Sequence, residues 1–531
     1  MNKKYYAILF VSALFITGIA KAEPSIAKAD SGKAKSDSGL DLTITCGLPF
    51  GHCKGEPKQN SGIAKAESSV TLRDLVEKTI TTNPEVQATY HTYLAAEQEH
   101  NAAIGGYLPR VDLISTLRIQ DHKTPNFNNT QTPELQTEFV LHQMLFDGFA
   151  TRNDVNRLGH AARVRYYQIQ SAMQNVAMDT VKAYMDTLKY RQFVGYASDN
   201  YVTHKQIYDR IEQRVIAGVG RRVDLEQANA RLNLAEANLL TQTTNLQNVE
   251  ARYQRLTGEI PPAELPEVDF FKTSVEPTIT KALETTLEKN PDVLAAIENI
   301  MATEDEVNAK RAKYSPRVDL LGKKVVQTSN DGQNNSDAGD SINLIMSYNL
   351  FNGFSDKSVI GQTLAKKYNS QDLRDKACRD TRQTLAIAYT DIINLKAQLP
   401  LRDQHQLSIQ KAREAYRKQF DIGQRTLLDL LDTENEYFNT RMNYTTTDRD
   451  LTTAYARTYA VQGELLSKLD VVRSDDFPEL AQGDPLDEYK ICQTDAPELK
   501  RINLDAIVSK AQPLNPDSIT ATPGAPINAP E

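Results

Sequence analysis

The sequence predicts a mostly α-helical fold in which a long coiled-coil bundle is joined to four β-strands that need other copies to close a membrane barrel. Three observations lead there. The body of the chain is one pattern written twice. Each copy holds a long stretch almost free of helix breakers. Each copy also holds two strands of alternating polarity flanking a polar loop.

Composition sets the outer limits. A chain of 531 residues at roughly 150 per domain suggests three or four domains. With 24% charged residues and a mean hydropathy of -0.50, it has no room for several apolar helices of about 20 residues each. The net charge of -8 gives no basic excess to suggest a nucleic-acid partner. Four Cys in this length are too few for a disulfide scaffold.

Residues 1–22 read as a signal peptide. Lys3 and Lys4 precede an apolar run from Ala7 to Ala20, too short to span a bilayer, and Ala20-Lys21-Ala22 offers a cleavage site. Residues 23–70 read as a low-complexity linker rich in Ser, Lys, Gly and Ala, with too little apolar surface to offset chain entropy. Within it Cys46 and Cys53 are candidates for a local disulfide; metal binding with His52 is the weaker alternative, because paired C-x-x-C spacing is missing.

The repeat organises the rest into 71–270 and 271–470. Asn83-Pro84-Glu85-Val86 returns 207 residues later as Asn290-Pro291-Asp292-Val293. Tyr107-Leu108-Pro109-Arg110-Val111-Asp112-Leu113 returns at the same offset from Tyr314 to Leu320. Leu145-Phe146-Asp147-Gly148-Phe149 returns 205 residues later as Leu350-Phe351-Asn352-Gly353-Phe354, and Gly218 and Asp224 return as Gly423 and Asp429.

Each copy opens with a short helix, near 72–82 in the first. Asn83 can cap the next helix with Pro84 at its first position. That helix is expected to run to about Tyr107, where Pro109 stops it. Val111, Leu113, Leu117 and Ile119 then alternate with polar residues, as do Leu135, Thr137, Phe139, Leu141 and Leu145 across a polar loop at 121–134. The second copy places Val318, Leu320 and Val326 on one strand and Ile342, Leu344, Met346 and Tyr348 on another, with a loop near 328–341. Such strands are the weak signature of an outer-membrane barrel; a soluble hairpin packed on helices is the rival reading.

The helices decide between them. From Thr151 to Ala217 there is no Pro, a length of about 100 Å if helical, and Ser355 to Asp421 matches it with Pro400 alone. From Leu225 to Leu256 apolar positions step by three and four, a coiled-coil seam that Gly258 can cap. A plain rod would leave the four strands unexplained. Four strands cannot close a membrane barrel, and an open edge is not viable in lipid, so other copies must complete it. With no Trp in the chain, Phe146, Phe149, Phe351 and Phe354 are the candidates for an interfacial aromatic belt.

This plan resembles the TolC family of outer-membrane channel proteins over about 71–470. The paired motifs above carry the resemblance, and the segment Phe420-Asp421-Ile422-Gly423-Gln424-Arg425-Thr426-Leu427-Leu428-Asp429-Leu430-Leu431-Asp432 is its most specific part. The resemblance implies a homotrimer with a 12-stranded barrel in the outer membrane and a helical tunnel through the periplasm. It also implies a periplasmic adaptor of the membrane-fusion type and an inner-membrane ABC or RND-type pump.

The resemblance further implies a constriction at the helix tips. Gly218 and Gly423 mark the reversals, with Gly220, Arg221, Arg222 and Gln424 beside them as adaptor-contact candidates. Arg425 would bridge toward Asp224. Phe420 stands where the family often has Tyr, so one hydrogen bond of that constriction is missing here. Asp429 and Asp432 lie three apart on one helical face; pointing into a pore, they would form carboxylate rings that favour cations. The plain alternative is a solvated helix end with a surface ion pair worth about 0–1 kcal/mol.

The tail, 471–531, is acidic and rich in Pro; Cys492 and Cys378 are two cysteines whose pairing sequence alone cannot decide. No Walker A, H-E-x-x-H or G-x-S-x-G motif occurs, and His91, His100, His142 and His160 share no ligand-like spacing, so no enzyme, metal site or cofactor is expected. The reading is an exit duct for drugs or secreted proteins, against the alternative of a structural or adhesive periplasmic coiled coil without a pore.

Overall fold

The computed structural model describes residues 71–122, 130–268, 278–329, 339–471, 492 and 507–509. The expected signal peptide, linker and Cys46–Cys53 pair lie outside the described residues, as does most of the tail. Every described element belongs to one compact unit, Asn60–Glu531.

The first repeat begins with helix α1 (Leu72–Thr82), capped by Thr71, whose hydroxyl accepts from the Asp74 amide. Leu72, Leu75, Val76, Thr79 and Ile80 form its buried stripe. Asn83 ends α1 and starts α2 (Pro84–Ile104), its side chain accepting from the Glu85 amide at 2.9 Å. The same side chain donates to the Leu256 carbonyl, 173 positions away. The α2 helix stops three residues short of Tyr107, because Gly105 to Tyr107 tightens into a 3-10 turn before Pro109.

Strand β1 (Arg110–His122) pairs antiparallel with β2 (Thr130–Phe146), so both strands extend into the stretch expected to be loop. At the end of β2 Gly148 and Phe149 both take left-handed backbone angles, φ 67° and 69°. A Cβ at Gly148 would lie 2.4 Å from that of Ser315, so only glycine fits there. The chain then enters α3 (Ala150–Ile216) and returns along α4 (Arg222–Thr257), which Gly258 closes at φ 77°. The expected seam is buried at Ala228, Ala235, Val249, Tyr253 and Leu256.

The second repeat retraces this order. Helix α5 (Ile279–Lys289), α6 (Pro291–Arg311), β3 (Arg317–Ser329), β4 (Gly339–Ser347), α7 (Ser355–Asp421) and α8 (Leu427–Val461) follow in turn. Asn290 repeats the double role of Asn83, accepting from the Asp292 and Val293 amides and donating to the Val461 carbonyl at 2.8 Å. Pro400 sits inside α7 without ending it. Gly353 and Phe354 repeat the left-handed turn. A short α9 (Leu465–Lys468) then buries Leu465 and Leu466.

The sheet runs β1-β2-β3-β4, all antiparallel, with β2 and β3 joining the repeats. Beside it the main core combines α1, α3, α8 and α9 through residues such as Val76, Val181, Tyr184, Tyr455 and Leu465. Cys378 and Cys492 form a disulfide, with Cα atoms 5.7 Å apart, beside Val293, Ile297 and Ile300. This pairing, left open by the sequence, fastens a point of the tail to α7.

Candidate functional site

The two reversals between long helices carry the residues singled out from the sequence. At the first, Gly218 adopts φ 74°, and the Val219 and Gly220 amides donate to the Arg214 carbonyl at 3.0 and 2.9 Å. This closes the last turn of α3 in the manner of a left-handed helix cap. A Cβ on Gly220 would sit 2.9 Å from the Val215 backbone nitrogen, so the close approach excludes any larger residue. At the second reversal Gly423 has φ 77°, and the Gln424 amide donates to the Gln419 carbonyl at 2.8 Å.

The helices leaving the two turns start differently. Thr426 and Asp429 form a reciprocal capping box at the start of α8, with the Asp429 carboxylate accepting from the Thr426 hydroxyl at 2.9 Å. Arg221 begins α4 without a side-chain cap; its guanidinium lies 3.5 Å from Asp224, which holds the position equivalent to Asp429. Arg222 is exposed beside it. Both carboxylates face the positive end of a helix dipole, which favours them there.

Arg425 folds back onto its own hairpin. It donates to the Gln419 side-chain oxygen at 3.0 Å, lies 3.8 Å from Asp429 and stacks over the Tyr416 ring at 4.3 Å. Phe420 is buried in an apolar cluster with Ile211, Ala228, Leu427, Leu430 and Leu431, and the Arg214 guanidinium lies 5.8 Å from its ring. Asp432 bonds to Arg231 of α4 at 2.5 Å, and Asp421 bonds to Arg210 of α3 at 2.7 Å. These last two pairs tie the first hairpin to the second. Their partners are about 200 residues apart, so no local spacing could have announced them.

About two turns into α8 from the tip lies a buried charge cluster that sequence reasoning missed. Glu434 is 2% exposed and accepts from Arg413 at 2.6 Å and Arg417 at 2.7 Å. His204, also buried, has an Nδ1 with no hydrogen-bond partner among the described residues. Burial pushes its pKa below the ordinary histidine value; Glu434 opposes that shift and Arg231 adds to it.

This end is built as two helical hairpins tied by the Arg210–Asp421 and Arg231–Asp432 pairs. A family model described as outer membrane efflux protein matches residues 75–259 and 282–464. The chain belongs to the outer membrane efflux protein family. The outer membrane efflux protein BepC of Brucella suis is 25% identical over 74% of this chain and 84% of its own length. The outer membrane protein TolC of Escherichia coli is 21% identical over 72% of this chain and 80% of its own. The alkaline protease secretion protein AprF of Pseudomonas aeruginosa is 23% identical over 71% and 80%. The Campylobacter jejuni CmeC outer membrane channel superposes with a TM-score of 0.67 at 14% identity, covering 79% of this chain and 98% of that one. The TolC-like reading of the sequence is therefore correct in family and fold. This efflux protein is an outer-membrane export channel whose helical part lies in the periplasm.

Proposed function

We propose that three copies of this efflux protein close one 12-stranded barrel and one helical tunnel, forming the exit duct of a tripartite export system. The observation that carries this reading is the sheet. Its two outer strands, β1 and β4, have no partner on their far sides among the described residues, and one sheet face is mostly apolar. Unsatisfied strand edges are not viable in lipid, so neighbouring copies supply the missing partners. The chemistry needed is passage rather than catalysis; energy comes from an inner-membrane ABC or RND-type pump reached through a periplasmic adaptor at the tips near Gly218, Arg221, Arg222 and Gln424.

The tips are the resting constriction. Arg425, Asp224, Phe420, Asp429 and Asp432 belong to it, with Arg210–Asp421 and Arg231–Asp432 clasping the hairpins of each chain. Replacing Arg425 or Asp224 with Ala raises resting conductance in planar bilayers; unchanged conductance in both variants would sink the gate.

Cargo is set by the pump. Support for small molecules comes from the efflux name of BepC, and for proteins from the secretion name of AprF. Deletion of the gene is expected to raise drug sensitivity, to remove proteins from the culture medium, or both. A deletion strain unchanged in both respects would overturn the export role.

A further inference from the structure

We propose that His142 and Asp319 form a pH-dependent charge filter in the barrel wall, at the mouth nearest the helices, separate from the helix tips. This rests on the barrel reading given above.

The register divides the sheet into two faces. Val111, Leu113 and Leu117 share one face with Phe139, Leu141, Ile342, Leu344 and Met346, and those on the outer strands are 64–81% exposed; the Lys324–Asp340 pair joins this face toward its loop end. The other face carries Arg110, Asp112, Glu138, His142, Arg317, Asp319 and Lys323. Charges belong on the wet side of a barrel and apolar residues on the lipid side. Shielding agrees: even in one chain the Asp319 and Glu138 side chains are only 12% and 17% exposed, as on the concave side of a curved sheet.

The wall is balanced charge by charge. Arg110 pairs with Asp112, Arg317 with Asp319 and Lys323 with Glu138, each at 2.8 Å. Among the residues of this face whose side chains are described, that leaves His142 as the group that can change the sum. Histidine is the side chain whose charge changes between about pH 5 and 8, whereas carboxylates stay ionised down to about pH 4–5.

His142 has four charged groups beside it on its own sheet face, and a fifth lies beyond the end of its strand. Its register partner on β1 is Arg110, with Asp112 two residues on. On β3, Asp319 Oδ1 lies 3.7 Å from His142 Nε2, and Arg317 holds the other Asp319 oxygen. Asp147, beyond the end of β2, is engaged by the Thr151 amide and hydroxyl. Asp319 Oδ1 is buried and accepts no hydrogen bond among the described residues. A protonated His142 therefore gains a counter-charge already in place. Protonation raises the net charge of the wall of each copy by one, and three copies bring three such charges to one mouth. Fixed positive rings favour anions.

The experiment measures the reversal potential of the assembled protein in planar bilayers under a dilute potassium chloride gradient. At about pH 5 the cation-over-anion permeability ratio is expected to fall by about twofold or more from its value near pH 7.5. The His142→Asn variant should lose that fall, and His142→Lys should show the low ratio at both pH values. A conducting wild-type channel with a pH-independent ratio, or a His142→Asn variant that shifts as the wild type does, overturns the filter alone. Assembled protein that does not conduct overturns the barrel reading and the filter with it.

Discussion

A buried histidine near the tips sets a pH limit on their packing. His204 lies on α3 beside Glu434 and Arg231, and burial is the largest cause of its lowered pKa, so the folded state prefers it neutral. A group whose folded pKa lies below its unfolded value binds fewer protons when folded. For His204 the stabilising contribution is therefore full above the ordinary histidine range, and it is lost as pH falls through the lowered value. Protonation would place a further cation next to Arg231, with Glu434 already taken by Arg413 and Arg417. We expect the thermal unfolding temperature of the folded protein to drop between about pH 7 and 5 and the His204→Gln variant to drop less. Equal pH dependence in both proteins would remove His204 from the cause. No sequence signal marks His204, because its burial depends on α4 and α8 packing around α3. Asp429 differs: the Thr426-to-Asp429 spacing is a capping box legible in the sequence, and that cap is a second role for a residue read first as part of a pore ring.

Two asparagines show how one residue type terminates one element, starts the next and ties a third. Asn83 and Asn290 cap α2 and α6 while their amide nitrogens hold the carbonyls of Leu256 and Val461 near the ends of α4 and α8. Both are buried, so truncation removes a cap and leaves a carbonyl to be satisfied elsewhere. Asn290→Ala should destabilise by about 1–3 kcal/mol, read as a lower unfolding temperature, and Asn83→Ala by a similar amount. The two sites belong to different repeats, so the double variant is expected to show near-additive loss. A change below about 0.3 kcal/mol at both would reduce them to surface caps. The capping half of this role was legible, since Asn-Pro before an apolar run is a helix start. The tie across 173 positions was not. Element ends followed the same division. The limits of α7 fall at Ser355 and Asp421, the ends of the predicted helix. The strands ran further than expected because Thr130 to Glu134 extends the β1–β2 ladder despite a polar composition and a proline at position 133. A register shift between Met144 and Phe146 also moved Leu145 out of the simple alternation.

The whole molecule is organised by a sheet that one chain leaves open and by the opposed character of its faces. Repeat, helix length and strand alternation all followed from local sequence, and together they fixed the family. Which face meets lipid required the register, because β3 and β4 each carry apolar residues on both parities, including Leu321, Val325 and Ile345. The register makes the assignment testable by a pair of neighbouring residues. Ile342 stands opposite Gly322, five positions from the start of β3, and is 81% exposed on the apolar face. Asn343, the next residue, stands opposite Leu321 on the face that carries His142 and Arg110. An arginine placed against hydrocarbon near the midplane costs about 2–4 kcal/mol, and the same arginine in a wet lumen costs little. In an assembly of three copies the penalty is paid three times at one depth. Ile342→Arg should therefore lower the temperature at which the assembled form dissociates on SDS gels, whereas Asn343→Arg should leave that temperature near wild type and shift conductance or ion preference instead. If Asn343→Arg weakens assembly more than Ile342→Arg, the faces are reversed, and the charged wall carrying His142 would point to lipid, where three ion pairs per copy could not be sustained.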